Sequence, residues 1–122
     1  MANELTITTS LAFSKSGVKD VVVSDCLKNA SVSGGDYVRR TQIIGNSAEA
    51  LDIGEIGTCG FMWAKNNGPT DTITLRAGSD GADVISLKAS DPACLFRLAT
   101  STPYAVSNST NSPVLEYVII EA

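Results

Sequence analysis

The sequence predicts an all-β protein, a single-domain antiparallel β-sandwich over residues 1–122 that is jelly-roll-like, with an immunoglobulin-like sandwich as the alternative. Short apolar segments with alternating or β-branched residues recur along the whole chain, at the spacing typical of sandwiches and barrels. Turn residues separate these segments, and helical periodicity is never sustained beyond a turn or two. The chain has 122 residues, of which 43% are hydrophobic, which suffices for one core and leaves little room for a second domain.

Three strands and one ambiguous segment are predicted in the first half of the chain. Residues 5–9 alternate with period two, with residues 11–14 as an optional continuation, and residues 18–23 contain a run of valines, which favours extended backbone. The next strand, residues 37–44, follows a turn whose adjacent glycines accept positive φ angles without steric cost. Residues 48–53 suit either a helical turn or a strand, and we prefer the strand.

The second half is predicted to hold the main core strands. Residues 58–64 form the richest apolar segment, with Cys59, Phe61 and Trp63 on one side, where we expect core packing. The Asn-Gly-Pro turn that follows ends this strand. Further strands are predicted at residues 71–77, where Ile73 and Leu75 point inward, and at residues 83–88, 93–98 and 114–120. The chain therefore has about eight or nine predicted strands.

The immunoglobulin-like alternative rests on the order Cys26, Trp63, Cys94. In that fold a buried tryptophan packs against a disulfide between the two sheets. Here Trp63 lies too far beyond Cys26 for the usual spacing, and an odd set of widely separated cysteines is no disulfide framework and no CxxC metal knuckle. We therefore expect buried free thiols and prefer the jelly-roll-like sandwich.

The residue types argue against an enzyme. The chain has no histidine, which removes the usual general base, the usual catalytic triad and the commonest metal ligand. Asp80 and Asp83, with Asp71 or Asp91, are candidate calcium ligands, but their spacing is not that of an EF-hand, and aspartates in turns ordinarily bond their own backbone. We expect no catalytic residue, no cofactor and no bound metal.

The charge pattern argues against nucleic acid and membranes as partners. The formal net charge is −4, and the nearest approach to a basic patch is the pair Arg39–Arg40, whereas a nucleic-acid surface needs a clustered positive stripe. No segment has the apolar length of a membrane span, and residues 1–10 lack the layout of a signal peptide. We expect a chain that is made and used without crossing a membrane.

The C-terminal segment suggests assembly. Residues 114–120 leave almost no polar face, so we expect this strand to be covered on both sides, either centrally in the fold or by a neighbouring subunit. Val118 and Ile120 are therefore predicted interface residues. Tyr104 follows a proline in a polar stretch and is a third, since tyrosine is a common interface anchor. We expect a homo-oligomer and prefer a trimer.

Several short segments of the sequence occur in a recognisable order. They are Glu49-Ala-Leu-Asp-Ile-Gly, Gly57-Thr-Cys-Gly-Phe-Met-Trp-Ala-Lys-Asn, Leu87-Lys-Ala, Ala93-Cys-Leu-Phe-Arg-Leu-Ala, Pro103-Tyr-Ala and the ending Val114-Leu-Glu-Tyr-Val-Ile-Ile-Glu. Together they resemble a group of small virion-associated structural proteins of tailed bacteriophages. The resemblance covers residues 49–121 well and the first part of the chain loosely. The segments that carry it are mostly turn and core patterns.

The resemblance implies a non-enzymatic virion structural protein, either a capsid decoration (cement) subunit or a minor capsid subunit that binds a repeated particle surface. The implied partner is the major capsid protein or another virion protein, and the implied location is the virion, after synthesis in the host cytoplasm. The alternative is a tail- or fibre-associated module that binds a receptor or glycan, which would need exposed aromatic side chains. The group has no catalytic residues to transfer to this chain.

Overall fold

The computed structural model describes residues 5–30, 35–79 and 81–122, and its contacts divide the chain into two compact units, residues 1–33 and residues 34–122. Every described regular element is a β-strand, and all strand pairs are antiparallel. The predicted all-β, antiparallel fold class is therefore confirmed. The single domain over residues 1–122 and the jelly-roll connectivity stay predictions.

The first unit is one long hairpin of two strands, β1 (Leu5–Lys15) and β2 (Val18–Ala30). Gly17 in the connection takes a φ of +80°, a conformation that glycine adopts without the steric penalty of a Cβ atom. The strands pair along almost their whole length. Strand β1 joins residues 5–9 to their predicted continuation, residues 11–14, and β2 extends well beyond its predicted segment, residues 18–23.

The second unit is a sandwich of two four-stranded sheets. Its strands are, in chain order, β3 (Tyr37–Ile43), β4 (Glu49–Ala50), β5 (Cys59–Asn66), β6 (Thr72–Arg76), β7 (Asp83–Lys88), β8 (Cys94–Arg97), β9 (Tyr104–Ser107) and β10 (Val114–Glu121). The first sheet has the order β3-β10-β5-β8 and the second the order β4-β9-β6-β7. The ambiguous segment, residues 48–53, contains the short strand β4 and no helical turn.

One core lies between the two sheets, because every second side chain of the long strands points into it. The first sheet contributes Val38, Cys59, Met62, Ala64, Leu115, Tyr117 and Ile119, and the second contributes Ile73, Leu75, Leu87 and Ala105. Ile73 and Leu75 are buried as predicted, and Thr72, Thr74 and Arg76 alternate with them on the other side. Ile44, Leu51 and Ile56, which lie outside the strands, complete this core.

The predicted core side of β5 is wrong. Met62 and Ala64 have no exposed surface, whereas Phe61 and Trp63 lie on the opposite side of the strand and are half-buried. The prediction is correct for Cys59, which belongs to the core and lies beyond an irregularity in the pairing of β5 with β10. Both sides of β5 are apolar, so alternation by itself does not reveal which side meets the other sheet.

The C-terminal strand β10 is central in the first sheet, between β3 and β5. Leu115, Tyr117 and Ile119 have no exposed surface. The alternate side chains, among them Val118 and Ile120, are half-buried on the outer side of the sheet. The second sheet therefore covers one side of this strand, as the sequence predicts, and the other side remains partly open.

A buried asparagine links the two sheets at one end of the sandwich. Asn66, the last residue of β5, is 3% exposed. Its Nδ2 donates to the backbone carbonyl oxygens of Asp71 at 2.7 Å and Leu87 at 2.8 Å, and its Oδ1 accepts from the Gly68 N–H at 2.8 Å. Three backbone groups are thus satisfied by one side chain, as a dry interior requires.

Candidate interaction surface

The outer side of the first sheet is apolar, where a solvent-facing sheet is ordinarily polar. We call it the apolar outer face; it consists of Tyr37, Ile43, Phe61, Trp63, Leu95, Val114, Val118 and Ile120. Tyr37 is 73% exposed and Ile43 is 64% exposed, and the other members are half-buried. Two of the three predicted interface residues, Val118 and Ile120, therefore belong to one surface.

Strand register makes this surface contiguous. Val118 of β10 lies opposite Trp63 of β5, and Trp63 in turn lies opposite Leu95 of β8. On the other side of β10, Ile120 lies opposite Tyr37 of β3. Directly opposed residues have Cβ atoms about 4.5–5.5 Å apart, so these side chains form an apolar strip that crosses all four strands.

The outer side of the second sheet provides an internal comparison. There Thr74 lies opposite Ser86 on one side and Val106 on the other, and Thr72 lies opposite Lys88. Hydroxyl and charged side chains predominate, which is the usual pattern of a sheet that faces water. The apolar outer face of the first sheet is therefore a local feature, and the general composition of the chain does not account for it.

Positive charge is concentrated around the apolar outer face. Arg39, Lys65 and Arg97 point outward from β3, β5 and β8, and Glu116 of β10 is the one carboxylate among the outward residues of the four described strands of this sheet. The guanidinium carbon of Arg97 lies 4.3 Å from the centre of the Phe61 ring, within the range of a cation–π contact. The face is thus locally cationic on a chain whose formal net charge is −4.

Glu116 is held in the ionised form next to these cations. Asn67 Nδ2 donates to Glu116 Oε1 at 2.9 Å, and Arg39 Nη2 lies 3.4 Å from Glu116 Oε2. The hydrogen bond from Asn67, followed by the bond from Arg39 and its charge, lowers the pKa of Glu116 below its ordinary value. The charge of Arg39 is therefore partly neutralised, and Lys65 and Arg97 carry the net positive charge of the face.

A second carboxylate fixes the ends of the strands that build the face. Glu121, the last residue of β10, accepts hydrogen bonds from the backbone N–H groups of Gly35 at 3.0 Å, Asp36 at 3.3 Å and Gly57 at 3.0 Å. These bonds, with that from Gly57 the largest contribution, lower the pKa of Glu121. The carboxylate thereby holds the start of β3, where Tyr37 lies, next to the end of β10.

Acid is expected to weaken this attachment. A carboxyl group whose pKa is lower in the folded state stabilises the fold above its unfolded pKa, here 4.5, and the stabilisation is lost as the pH falls through the folded pKa. We expect Glu121→Gln to melt at a lower temperature than the wild type at neutral pH, and the difference to shrink as the pH falls below 4.5 and through the lowered pKa of Glu121. Differential scanning calorimetry across this range measures it.

The exposed position Glu55 provides the control for the acid experiment. Glu55→Gln removes the same kind of charge without touching the three bonds of Glu121, and we expect it to follow the wild-type pH dependence. If the melting temperatures of the wild type and Glu121→Gln fell in parallel, the role of Glu121 would be wrong.

Tyr104, the third predicted interface residue, lies on the other sheet. It is the first residue of β9, half-buried, and lies opposite Arg76 and Ala50. The structure thus brings Val118 and Ile120 together and does not bring Tyr104 to them. Its position follows from the pairing of β9 with β4 and β6, which are distant in the chain.

The sequence prediction missed the aromatic members of the surface. The sequence predicts a strand position for Tyr37 without a role, and core positions for Phe61 and Trp63. The available signal was that β5 and β10 are apolar on both sides, since Met62 and Ala64 alternate with Phe61 and Trp63. Two neighbouring strands with this property indicate a second covered face.

The aspartates considered as calcium ligands act otherwise. Asp80 lies outside the described residues; Asp83 Oδ1 accepts from Arg76 Nε at 2.7 Å, and Asp91 Oδ2 accepts from the Lys88 N–H at 3.0 Å. Within residues 5–30, 35–79 and 81–122, no group of three or more His, Cys, Asp or Glu side chains is arranged to hold a metal ion. The same residues contain no helix of the length and hydropathy needed to span a membrane.

The three cysteines are free, but they differ in exposure. Cys59 is buried, Cys94 is half-buried, and Cys26 is exposed on the hairpin. Burial raises the pKa of the Cys59 and Cys94 thiols. The expectation of buried thiols is therefore wrong for Cys26, because a two-stranded hairpin has no second layer of its own to cover that side chain.

The geometry of the apolar outer face suits contact with another macromolecular surface. It has a contiguous apolar centre and a charged margin, as interfaces commonly do. Comparison with protein-family models, with curated proteins and with solved structures finds no match to this chain.

Proposed function

We propose that this chain is a non-enzymatic bacteriophage virion structural protein, a capsid decoration or minor capsid subunit, and that it binds a repeated particle surface through the apolar outer face. The observation that carries the proposal is the contrast between the two sheets of one sandwich. The side with Val118 and Trp63 is apolar and aromatic, while the equivalent side of the second sheet carries threonine and serine.

Charge defines the kind of surface that fits. Arg39, Lys65 and Arg97 at the margin favour an acidic partner, and like charges would oppose the stacking of two such faces on each other. An acidic, partly apolar patch on the major capsid protein meets both requirements. Repetition of that patch over the particle would give many equivalent sites for one small subunit.

The binding experiment uses particles of the parent phage assembled without this protein. Ile120→Asp introduces a carboxylate into the apolar strip opposite Tyr37, and we expect affinity for these particles to fall at least about tenfold, since burying an unpaired charge at an interface costs more than about 1.4 kcal/mol. Cosedimentation over a concentration series measures it. The fluorescence of Trp63 reports whether the sandwich of each variant is folded.

Thr74→Asp supplies the matched control, because Thr74 points outward from the second sheet and is half-buried like Ile120. It is expected to bind particles as the wild type does. Equal binding by Ile120→Asp and the wild type would remove the apolar outer face from the proposal. Failure of the wild type itself to bind particles would remove the capsid role.

A tail- or fibre-associated module that binds a receptor or glycan is the second candidate. The observation in its favour is that Tyr37 is 73% exposed and Trp63 is half-buried on the same face, as aromatic stacking on a sugar requires. Copy number separates the two candidates: quantitative mass spectrometry of purified virions is expected to find hundreds of copies for a decoration protein. A handful of copies, with a sugar-dependent shift of Trp63 emission, would favour the module.

A further inference from the structure

Asn67 and Gly68, directly after β5, form the only Asn-Gly pair of the sequence. Asparagine before glycine is the arrangement most prone to deamidation, because glycine has no Cβ atom to hinder attack by its backbone nitrogen on the preceding side-chain amide. Packing requires glycine here, since a Cβ atom at position 68 would lie 2.6 Å from Pro113 Cβ and 3.0 Å from Asn66 Oδ1. The fold itself therefore imposes a chemically labile pair.

Deamidation of Asn67 uses the backbone nitrogen of Gly68 as its nucleophile. Hydroxide removes the N–H proton, the nitrogen bonds to Asn67 Cγ, and Nδ2 takes up a proton and leaves as ammonia, which closes a five-membered succinimide ring. Water then opens the ring at either carbonyl and gives aspartate or isoaspartate. The net reaction consumes water and releases ammonia, and no group is oxidised or reduced. It requires a Gly68 N–H that hydroxide can reach and an Asn67 side chain that can turn onto the nitrogen.

The folded sandwich restrains the nucleophile. Gly68 is buried, and its N–H donates to Asn66 Oδ1 at 2.8 Å. The Asn66 side chain is itself fixed, because its Nδ2 donates to the carbonyl oxygens of Asp71 and Leu87. Loss of the Gly68 proton would leave a buried anion that faces the amide oxygen of Asn66, at a high cost in free energy. The Gly68 N–H is therefore held in an unreactive state.

The folded sandwich also restrains the group that is attacked. The backbone N–H of Asn67 donates to the Val114 carbonyl oxygen at 2.9 Å, and its Nδ2 donates to Glu116 Oε1 at 2.9 Å. Both the backbone and the side chain of Asn67 are thus attached to β10, and ring closure gives up the bond to Glu116. Because Asn67 is exposed, this restraint is weaker than the buried one that Asn66 provides.

We propose that Asn67 is a latent deamidation site, which Asn66 keeps unreacted while the sandwich is folded and which reacts once the Gly68 N–H is released. Global unfolding, or local opening at the end of β5, removes both restraints together. The protection then depends on three hydrogen-bond partners, Asn66, Val114 and Glu116, that surround the labile pair.

The product of the reaction does not fit the place of the reactant. In aspartate an oxygen replaces Nδ2 of Asn67, so two carboxylates would meet across the 2.9 Å that a hydrogen bond to Glu116 now spans, and like charges repel at this distance. Isoaspartate adds one carbon to the main chain before Gly68, where Pro113 leaves no room. A chain that has opened and reacted therefore refolds with lower stability, and the modification is a lasting record of the opening.

Peptide mass spectrometry of the full-length wild type, incubated in mildly alkaline buffer with and without denaturing guanidinium chloride, measures the reaction. Asn111 is the internal reference, because it is exposed and is followed by a serine, whose Cβ hinders the attack. In denaturant we expect Asn67 to react faster than Asn111. In the folded protein we expect the order to reverse, and Asn67 to react at least about tenfold more slowly than in denaturant. Faster reaction of Asn67 than of Asn111 in the folded protein would overturn the proposal.

Asn66→Ala tests the restraint on the nucleophile. We expect this variant to deamidate at Asn67 at least about tenfold faster than the wild type. Leu75→Ala is the matched control: Leu75 is buried in the core, so its loss also destabilises the sandwich but leaves Asn66 in place. The two variants are compared at equal folded fractions, measured by Trp63 emission. Equal deamidation rates would assign the protection to the fold in general and would exclude the role of Asn66.

Hydrogen exchange of the wild type, followed by NMR, decides the same point if Asn66→Ala does not fold. As guanidinium chloride is raised towards the unfolding transition, we expect exchange of the Gly68 N–H and deamidation of Asn67 to accelerate together. Deamidation that accelerated while the Gly68 N–H stayed protected would contradict the proposal. None of these measurements depends on particle binding.

Discussion

Removal of residues 114–122 is expected to leave the second unit unfolded. Strand β10 lies between β3 and β5, so its loss breaks both ladders of the first sheet. It also removes Leu115, Tyr117 and Ile119, which have no exposed surface. Side chains of this size contribute about 1.5–3 kcal/mol each, and the lost hydrogen bonds add to a total that approaches the whole stability of a domain, about 5–15 kcal/mol.

Circular dichroism and a thermal melt measure the loss. We expect the truncated chain to show no cooperative transition and its Trp63 emission to shift towards that of tryptophan in water. Deletion of Ala122 alone is the control: it leaves β10 intact, and the bond it removes is the one from the Ala122 N–H to the Thr58 carbonyl oxygen at 2.9 Å. A cooperative melt of the truncated chain would show that β10 is dispensable.

Replacement of Asn66 by alanine is expected to destabilise the sandwich by about 2–6 kcal/mol, since the Leu87 carbonyl oxygen and the Gly68 N–H lose this partner at about 1–3 kcal/mol each. The carbonyl oxygen of Asp71 also loses a bond from Asn66 but keeps the one from the Ala89 N–H at 3.2 Å. Asn66→Asp keeps the shape but turns the donor into an anion that faces the two carbonyl oxygens. It is expected to be at least as damaging at neutral pH.

Urea unfolding followed by Trp63 fluorescence gives the free energy of unfolding of each variant. Asn67→Ala is the matched control, because Asn67 is adjacent in the chain and exposed, and its side chain bonds Glu116 at the surface. We expect this control to lose less than about 1 kcal/mol. Equal losses of unfolding free energy at positions 66 and 67 would show that the buried hydrogen bonds of Asn66 stabilise the fold no more than the surface bond of Asn67.

Strand positions were predictable because alternation is a local property. The burial of Ile73 and Leu75 follows from residues 72–76 alone, and the end of β5 follows from the Asn-Gly-Pro turn. The orientation of β5 was not predictable in the same way, because apolar side chains occupy both of its sides. Which side is core depends on where the second sheet lies, and that is set by distant pairings.

The residues of the apolar outer face also differ in whether local sequence is enough to predict them. Val118 and Ile120 were identified because a strand without a polar side must be covered twice. Tyr37 and Trp63 belong to the same surface through the ladders of β10 with β3 and β5, which join residues far apart in the chain. The role of Asn66 could not be predicted for a related reason: one of its carbonyl partners, Leu87, is 21 residues away.

The difference in exposure among the three thiols makes the two units separately observable. A maleimide reacts with the thiolate. Burial both shields Cys59 and Cys94 and raises their pKa, so at neutral pH the reagent attaches first to the exposed Cys26. A dye introduced in this way reports on the hairpin alone. Trp63, the tryptophan of the chain, lies in the sandwich. The dye signal and the Trp63 emission, recorded on one sample, therefore show which unit melts first.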